Sequence, residues 1–150
     1  MKVLRVLAIV LVAASITACD NSGSTAATTP TQTLVTDILT GTVNVPVGTA
    51  LQTATNPFTV GQGGGTITVT LTSAIETLPG GALLTTVQMG LAVGTQSGST
   101  CTPLANGSTT GAGGAAILSG SVTAGNYCVL VSDITNQLGP VAYAVAVNHP

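Results

Sequence analysis

Apolar and polar residues alternate along most of the chain after residue 34, and a period of two residues is typical of β-strands. Residues 66–72 alternate without an error, which predicts that Ile67, Val69 and Leu71 face a core while threonines face solvent. No segment after residue 18 combines an apolar period of 3.6 residues with a charged face, so almost no helix is predicted there. The predicted strands cover residues 39–47, 57–60, 66–72, 89–93, 117–122, 127–132 and 141–147.

Turn-forming residues separate these runs. Glycine, proline and asparagine supply the backbone angles that tight turns need. Short strands with this spacing predict an all-β fold, an antiparallel β-sandwich or jelly-roll-like domain of about seven or eight strands. Because proline cannot donate a backbone hydrogen bond, Pro46 is expected to end its strand early or to place it at a sheet edge. The predicted turns lie at residues 61–65, 79–81, 106–107, 111–114, 125–126 and 139–140.

The N-terminal segment has the features of an export signal. Lys2 and Arg5 form a short basic region, and residues 6–14 form an apolar run of signal-peptide length. A stable membrane span needs about 20 apolar residues, so this run is too short to be one. The segment is therefore predicted to direct export.

The apolar run leads into Ile16–Cys19, which reads Ile-Thr-Ala-Cys and resembles the lipobox of bacterial lipoprotein precursors. The resemblance implies that residues 1–18 form a signal peptide that is removed. It also implies that Cys19 then carries acyl chains. The alternative is an ordinary secretory signal, cut after Ala18, that leaves Cys19 unmodified.

The segment after the signal is predicted to tether a folded domain. Residues 19–33 comprise the lipidated cysteine and a flexible linker, because small and polar residues there cannot form a core. One acyl chain binds a membrane weakly, whereas two or three hold a protein durably. The chain is therefore predicted to be exported to the bacterial cell envelope and lipid-anchored to a membrane. Its domain, residues 34–150, is expected in the periplasm or outside the cell.

The chain has three cysteines, an odd number for an oxidising compartment. If Cys19 is lipidated, Cys101 and Cys128 remain as a pair that can form a disulfide. Closing a loop of this length stabilises a fold by about 3–4 kcal/mol. The alternative, a catalytic or metal-binding pair, is disfavoured because no histidine lies near either cysteine in the sequence.

The strand sequences are similar to a known family of bacterial domains. A glycine turn leads into a tyrosine-bearing strand, which is followed by a final tyrosine-bearing strand. The similarity covers most of residues 34–149 and implies a non-catalytic, jelly-roll-like β-sandwich of the kind appended to secreted peptidases and other extracellular enzymes. The segments that resemble the bacterial pre-peptidase C-terminal (PPC-like) domain are residues 57–60, 66–71, 89–93, 124–131 and 141–145.

Charge is scarce, with two basic and four acidic residues in the whole chain. Both basic residues, Lys2 and Arg5, belong to the predicted signal peptide. Nucleic-acid binding draws most of its affinity from lysine and arginine neutralising phosphates. The mature chain is therefore not expected to bind nucleic acid, nor to dock electrostatically on anionic lipid.

Few titratable side chains are available for catalysis in the predicted domain: Asp37, Glu76, Asp133 and His149. An enzyme would require two of these four to lie within hydrogen-bonding reach. His149 is expected to lie on a frayed end, and Asp37 and Glu76 are expected to be solvated. Asp133 is expected to cap a turn. The alternative for it is a weak calcium site shared with Asn136, although calcium normally takes six to eight oxygens.

The sequence predicts a non-catalytic envelope protein without a cofactor or a dedicated metal centre. Its domain is expected to act as a structural or protein-interaction module whose partner is another envelope protein or a glycan. The alternative is a module that binds a small ligand or a glycan. The aromatic residues Phe58, Tyr127 and Tyr143 fall on inward faces, so no exposed aromatic platform for sugars is predicted.

Overall fold

The computed structural model describes residues 32–45, 50–112 and 118–150, except for the side chains of residues 105 and 106. The described residues belong to one compact unit that begins at Thr31. They contain nine strands and no helix: β1 Val35–Val43, β2 Thr53–Val60, β3 Gly65–Thr77, β4 Leu83–Leu84, β5 Gln88–Ser97, β6 Thr100–Gly111, β7 Leu118–Val122, β8 Gly125–Ser132 and β9 Val141–His149. Accordingly, this part of the chain includes no helix with the length and apolarity to cross a bilayer. The predicted signal peptide, Cys19 and almost all of the linker lie outside it.

The strands form two antiparallel sheets, which confirms the predicted sandwich, although the described residues contain nine strands and not seven or eight. In the first sheet the order is β1-β9-β3, and β4 and β7 both pair with the remaining edge of β3. β7 covers the stretch Gly65–Val69 of that edge, and β4 covers Glu76 and Thr77. The second sheet has the order β2-β8-β5-β6.

Alternating side chains from both sheets fill the core, as the period of two predicts. Ile67, Val69 and Leu71 of β3 are at most 4% exposed. Phe58, Tyr127 and Tyr143 also point inward and are buried, so that prediction is confirmed too. Each fully buried valine or leucine stabilises the fold by about 1.5–3 kcal/mol. The other buried apolar residues include Val43, Val60, Met89, Leu91, Val129, Val131, Val141, Val145 and Val147.

The strands differ from the predictions in several bounds: β2, β3 and β5 are longer than predicted, and β4 and β6 were not predicted. β1 runs from Val35 to Val43, four residues earlier than predicted, and it lies at a sheet edge as expected for a strand before Pro46. The predicted turn at residues 106–107 lies inside β6, which the alternation did not predict. The reason is a register shift. Between the pair Ala92–Gly107 and the pair Gly94–Pro103, β6 has more residues than the facing β5. A bulge of this kind accommodates turn-forming residues without ending the strand.

Glycine turns connect several strands. Gly80 and Gly81 adopt φ angles of 98° and 88°, which side-chain-bearing residues rarely adopt. They turn the chain from β3 into β4, as the Pro-Gly-Gly sequence predicts. Gly98, with φ of 58°, makes the tight turn between β5 and β6.

Candidate functional site

His149 and Asp37 meet at one side of the sandwich. The His149 ring is 5% exposed, and its Nε2 lies 3.0 Å from Asp37 Oδ2. The prediction of a frayed histidine is therefore wrong. Asp37 lies within β1 and not before it, and its side chain is 39% exposed. His149 pairs with Val35 at the end of β9 and continues the inward row of that strand. Its ring centroid lies 5.5 Å from that of Phe58 in the opposite sheet.

This pair satisfies the distance criterion for an enzyme, but its geometry does not offer a general base. The second ring nitrogen, Nδ1, lies 3.1 Å from the carbonyl oxygen of Pro150. Both ring nitrogens of His149 therefore face oxygen atoms of the same chain. A general base needs a free nitrogen lone pair directed at its substrate. Neither nitrogen of His149 is placed in that way.

Tyr143 and Asn56 form a second polar pair on the same side. The Asn56 side-chain amide in β2 donates a hydrogen bond of 2.5 Å to the Tyr143 hydroxyl in β9, and this bond joins the two sheets. The Tyr143 ring covers Gly41 of β1, where an added Cβ would lie 2.5 Å from the hydroxyl oxygen. Burial raises the pKa of Tyr143 above its ordinary 10.0, although the bond from Asn56 opposes the shift. The phenol is therefore neutral at ordinary pH and holds the sheets together.

We call this side of the molecule, between β1 and β2, the seam. It is closed by the aromatic rings of Phe58 and Tyr143, the imidazole of His149 and the polar partners of the last two, Asn56 and Asp37. An aromatic ring over an edge-strand glycine compensates for the packing that the glycine lacks. The seam is therefore a filled and hydrogen-bonded part of the core.

Glu76 is buried, although it was predicted to be a solvated turn residue. It is 1% exposed, and its Oε1 accepts hydrogen bonds from the backbone N–H groups of Leu138 and Gly139, the latter at 2.7 Å. The register between β3 and β9 shifts between Leu71 and Ser73, so the inward positions change from odd to even numbers. This bulge turns Glu76 toward the interior, where it anchors the loop before β9.

Asp133 caps a turn, as predicted. It is 1% exposed, and its Oδ1 accepts hydrogen bonds from the backbone N–H groups of Thr135 at 2.9 Å and Asn136 at 3.2 Å. The side-chain amide of Asn136 donates to the carbonyl oxygen of Gln88. In the part of the chain that is described, Asp133 Oδ2 is buried without a hydrogen-bond partner.

A calcium role for Asp133 and Asn136 stays a prediction. Calcium usually takes six to eight oxygen ligands, several of them carboxylates. Over the described ranges, no three His, Cys, Asp or Glu residues are grouped so that they could hold a metal ion.

Cys101 and Cys128 are positioned as a disulfide requires. Their sulfur atoms lie at bonding distance and their Cα atoms are 6.0 Å apart. Cys101 belongs to β6 and Cys128 to β8, so the link passes across β5 at Gly94. A Cβ at Gly94 would lie 2.8 Å from the Cys101 sulfur and 2.5 Å from the Thr102 carbonyl oxygen. The disulfide therefore requires a residue without a side chain at this position of β5, and Gly94 is the sequence feature that could have indicated it.

The opposite side of the sandwich, between β6 and β7, contains an apolar cavity that the sequence reasoning missed. We call it the cleft. Its volume is about 160 Å³. Leu104 on its wall is 43% exposed, so the space reaches the surface. The lining residues are Ile67, Val93, Leu104, Leu118, Ser119, Gly120, Ser121 and Val122. The sequence feature that could have indicated this cavity is Gly120, a glycine in the interior of a predicted strand.

The search for related proteins gives no functional lead. No family model, curated protein or solved structure matches this chain. The resemblance to the PPC-like domain therefore stays a prediction that rests on the strand sequences.

Proposed function

We propose that this chain is an exported lipoprotein, anchored through acyl groups on Cys19, whose sandwich binds another envelope protein without catalysing a reaction. The partner contributes an extended segment that adds to the first sheet along β1. The observation that carries the proposal is that β1, among the described residues, pairs with β9 on one side and with no strand on the other. Sheet edges present unpaired backbone N–H and C=O groups, and peptide segments bind by extending such edges.

The edges of the second sheet differ from β1. Proline cannot donate to an added strand, and both edge strands of that sheet carry one, Pro57 in β2 and Pro103 in β6. β6 also has the register shift opposite residues 92–94. β1 contains no proline and no lysine, and it pairs with β9 in an unbroken register from Val35 to Val43. Of the edge strands β1, β2 and β6, β1 is the one that can accept a regular strand.

The side chains along β1 also favour a partner strand. Val35 is 45% exposed and Ile38 is 60% exposed, so β1 presents two large apolar side chains to solvent. The one charged residue of β1, Asp37, is paired with His149. A strand added here would cover apolar side chains without having to desolvate an unpaired charge.

Two features of the seam support a non-catalytic role. Both ring nitrogens of His149 face oxygen acceptors, and the Tyr143 phenol is kept neutral by burial. The remaining acids, Glu76 and Asp133, accept backbone hydrogen bonds and so maintain loops. Each of these groups has a structural partner among the described residues.

Photo-crosslinking in producing cells tests the edge. A photoreactive phenylalanine analogue at Ile38 in β1 is compared with the same residue at Thr55 in β2, an exposed position beside Pro57. We expect a discrete adduct from position 38 and none from position 55. A further change, Thr40→Lys, should remove the adduct because a lysine on an edge strand opposes strand addition. Leu138→Lys, a loop change of the same kind, should leave it in place.

Three results would contradict the edge proposal. Equal crosslinking from both positions would show that β1 is not preferred. An adduct that persists with Thr40→Lys would show that strand addition is not involved. An adduct with twice the mass of the chain would identify a second copy, and not another envelope protein, as the partner.

Intact-protein mass spectrometry tests the anchor separately. We expect a chain that begins at Cys19 and carries the added mass of acyl groups, and we expect Cys19→Ser to lack that mass. An unmodified chain cut after Ala18 would reject lipidation and leave the edge proposal standing.

A further inference from the structure

The cleft is an apolar space at the edge of the core, between β6 and β7. Protein interiors are packed as densely as organic crystals, and voids larger than a water molecule are few. Ile67 and Val93 form the floor of the cleft from opposite sheets, and Leu104, Leu118 and Val122 form its sides. The floor is buried, with Ile67 4% exposed and Val93 7% exposed.

A single residue, Gly120, leaves the space open. It pairs directly with Ile67 in the neighbouring strand, so its missing side chain would point to the same inward side. A Cβ added at Gly120 would meet no atom of the described residues within 4 Å. The φ angle of Gly120 lies outside the positive range that favours glycine, so a residue with a side chain can adopt this backbone conformation. Neither turn geometry nor close packing therefore requires glycine at this position.

Glycine is also an unfavourable choice for a strand interior. It loses more conformational freedom on folding than other residues, and it buries no side chain. Valine would favour the strand and fill the cavity. A residue that costs stability and keeps a cavity open is expected where the cavity has a use.

We propose that the cleft is a binding site for a compact apolar molecule of about the size of benzene. The lining contains no charged residue, and its two serines, Ser119 and Ser121, are exposed on β7. A ligand would therefore be bound by van der Waals contact and by burial of apolar surface. The lining has no set of convergent polar groups, which excludes sugars and anions as its ligands. Its volume is close to that of an engineered cavity of about 150 Å³ in another protein, which binds benzene and xenon.

Methyl NMR of the full chain tests the proposal. The processed protein is held in lipid nanodiscs, since a detergent tail would compete for the cleft, and it is titrated with benzene and separately with glucose. We expect saturable shifts of the Leu104, Leu118 and Val122 methyl groups with benzene and none with glucose. Xenon under pressure should shift the same methyl groups.

Gly120→Val tests the role of the open position. The added side chain should occupy the cleft and weaken the benzene response at least tenfold. Gly111→Val is the matched control, because a Cβ there also meets no atom within 4 Å but the residue does not line the cleft. Gly111→Val should respond to benzene as the unsubstituted protein does. Gly120→Ala, a smaller change, should give an intermediate response and serves if the valine variant does not fold.

Several outcomes would overturn the proposal. An unsubstituted protein without a saturable benzene response has no such site, whatever the variants do. A response that Gly120→Val and Gly120→Ala leave unchanged would place the bound molecule elsewhere. A response that Gly111→Val abolishes equally would show a general effect on the sandwich instead of occupancy of the cleft.

Discussion

The core is packed differently at the two lateral sides of the sandwich. On each side the edges of the two sheets approach each other, and the core has to be closed there. The seam is closed by the large rings of Phe58, Tyr143 and His149 and by two polar pairs. The cleft is bordered by aliphatic side chains and remains open.

Two inward-facing glycines show the contrast. Gly41 in β1 lies under the Tyr143 ring, and a Cβ there would lie 2.5 Å from the hydroxyl oxygen. Gly120 in β7 faces open space. The same residue type is therefore required for close packing at the seam and prevents close packing at the cleft. A glycine in a strand can be interpreted only when its cross-strand neighbours are known.

The largest expected effect concerns the disulfide between β8 and β6, the strand that also carries Leu104 of the cleft. Replacing Cys101 and Cys128 together by serine should lower the free energy of unfolding by about 3–4 kcal/mol, because the unfolded chain is no longer constrained. Urea unfolding measures this loss, and reduction of the unsubstituted protein should reproduce it. Hydrogen exchange should also rise more in β6, which the link holds to β8, than in β1. A uniform rise across both sheets would show that the link does not specifically secure the cleft.

The paired glycine substitutions test the contrast directly. Gly41→Ala should lower the free energy of unfolding by about 1–3 kcal/mol, because the new methyl group displaces the Tyr143 ring from a well-packed position. Gly120→Ala should leave it unchanged or raise it by about 0.4–1 kcal/mol, because the unfolded chain loses freedom and nothing is displaced. Thermal or urea unfolding of the two variants gives the comparison. If both alanines destabilise equally, the seam and the cleft do not differ in packing.

Tyr143→Phe isolates the hydrogen bond of the seam. The change keeps the ring but leaves the Asn56 amide without its acceptor, and it should cost about 1–2 kcal/mol. Asn56→Ala together with Tyr143→Phe should cost less than the two single changes added, because neither group then lacks a partner. Additive costs would mean that this bond does not contribute to joining the sheets.

The raised pKa of Tyr143 predicts a dependence on alkaline pH. Burial favours the neutral phenol, so the folded state holds this proton more tightly than the unfolded state does. The contribution of the protonated Tyr143 phenol to the stability of the folded state is fully present below the unfolded pKa of 10.0. It is lost as the pH rises through the higher folded pKa. As the pH rises across this range, the free energy of unfolding should fall more steeply for the unsubstituted protein than for Tyr143→Phe. Parallel curves would argue against a buried, neutral phenol.

The smallest effect is expected from the Asp37–His149 pair. The Asp37 side chain is 39% exposed, and partly exposed ion pairs contribute about 0–1 kcal/mol. Asp37→Asn should therefore change the free energy of unfolding by no more than this amount, and added salt should reduce the difference further. A much larger loss in urea unfolding would mean that the pair is an essential part of the seam.

Much of the fold was predictable because one regular signal determines it. The alternation in residues 66–72 and 141–147 identified inward rows that are buried in the structure. The bulge after Leu71 was not predictable, since it inserts a residue without leaving a mark in the alternation. It reversed the inward positions, and the burial of Glu76 followed from that change. The burial of His149 likewise depends on β1 extending far enough to pair with the end of β9.

The sequence by itself determined the fold class, the inward rows and the candidate cysteine pair, because these depend on local period and on the count of one residue type. The tertiary structure alone decided which strands lie at edges, which glycines face a ring or a void, and which polar side chains meet across the core. Those features depend on contacts between residues far apart in the chain, such as Asn56 with Tyr143 and Asp37 with His149. No local pattern records such contacts, because each partner is compatible with many others until the sheets have packed.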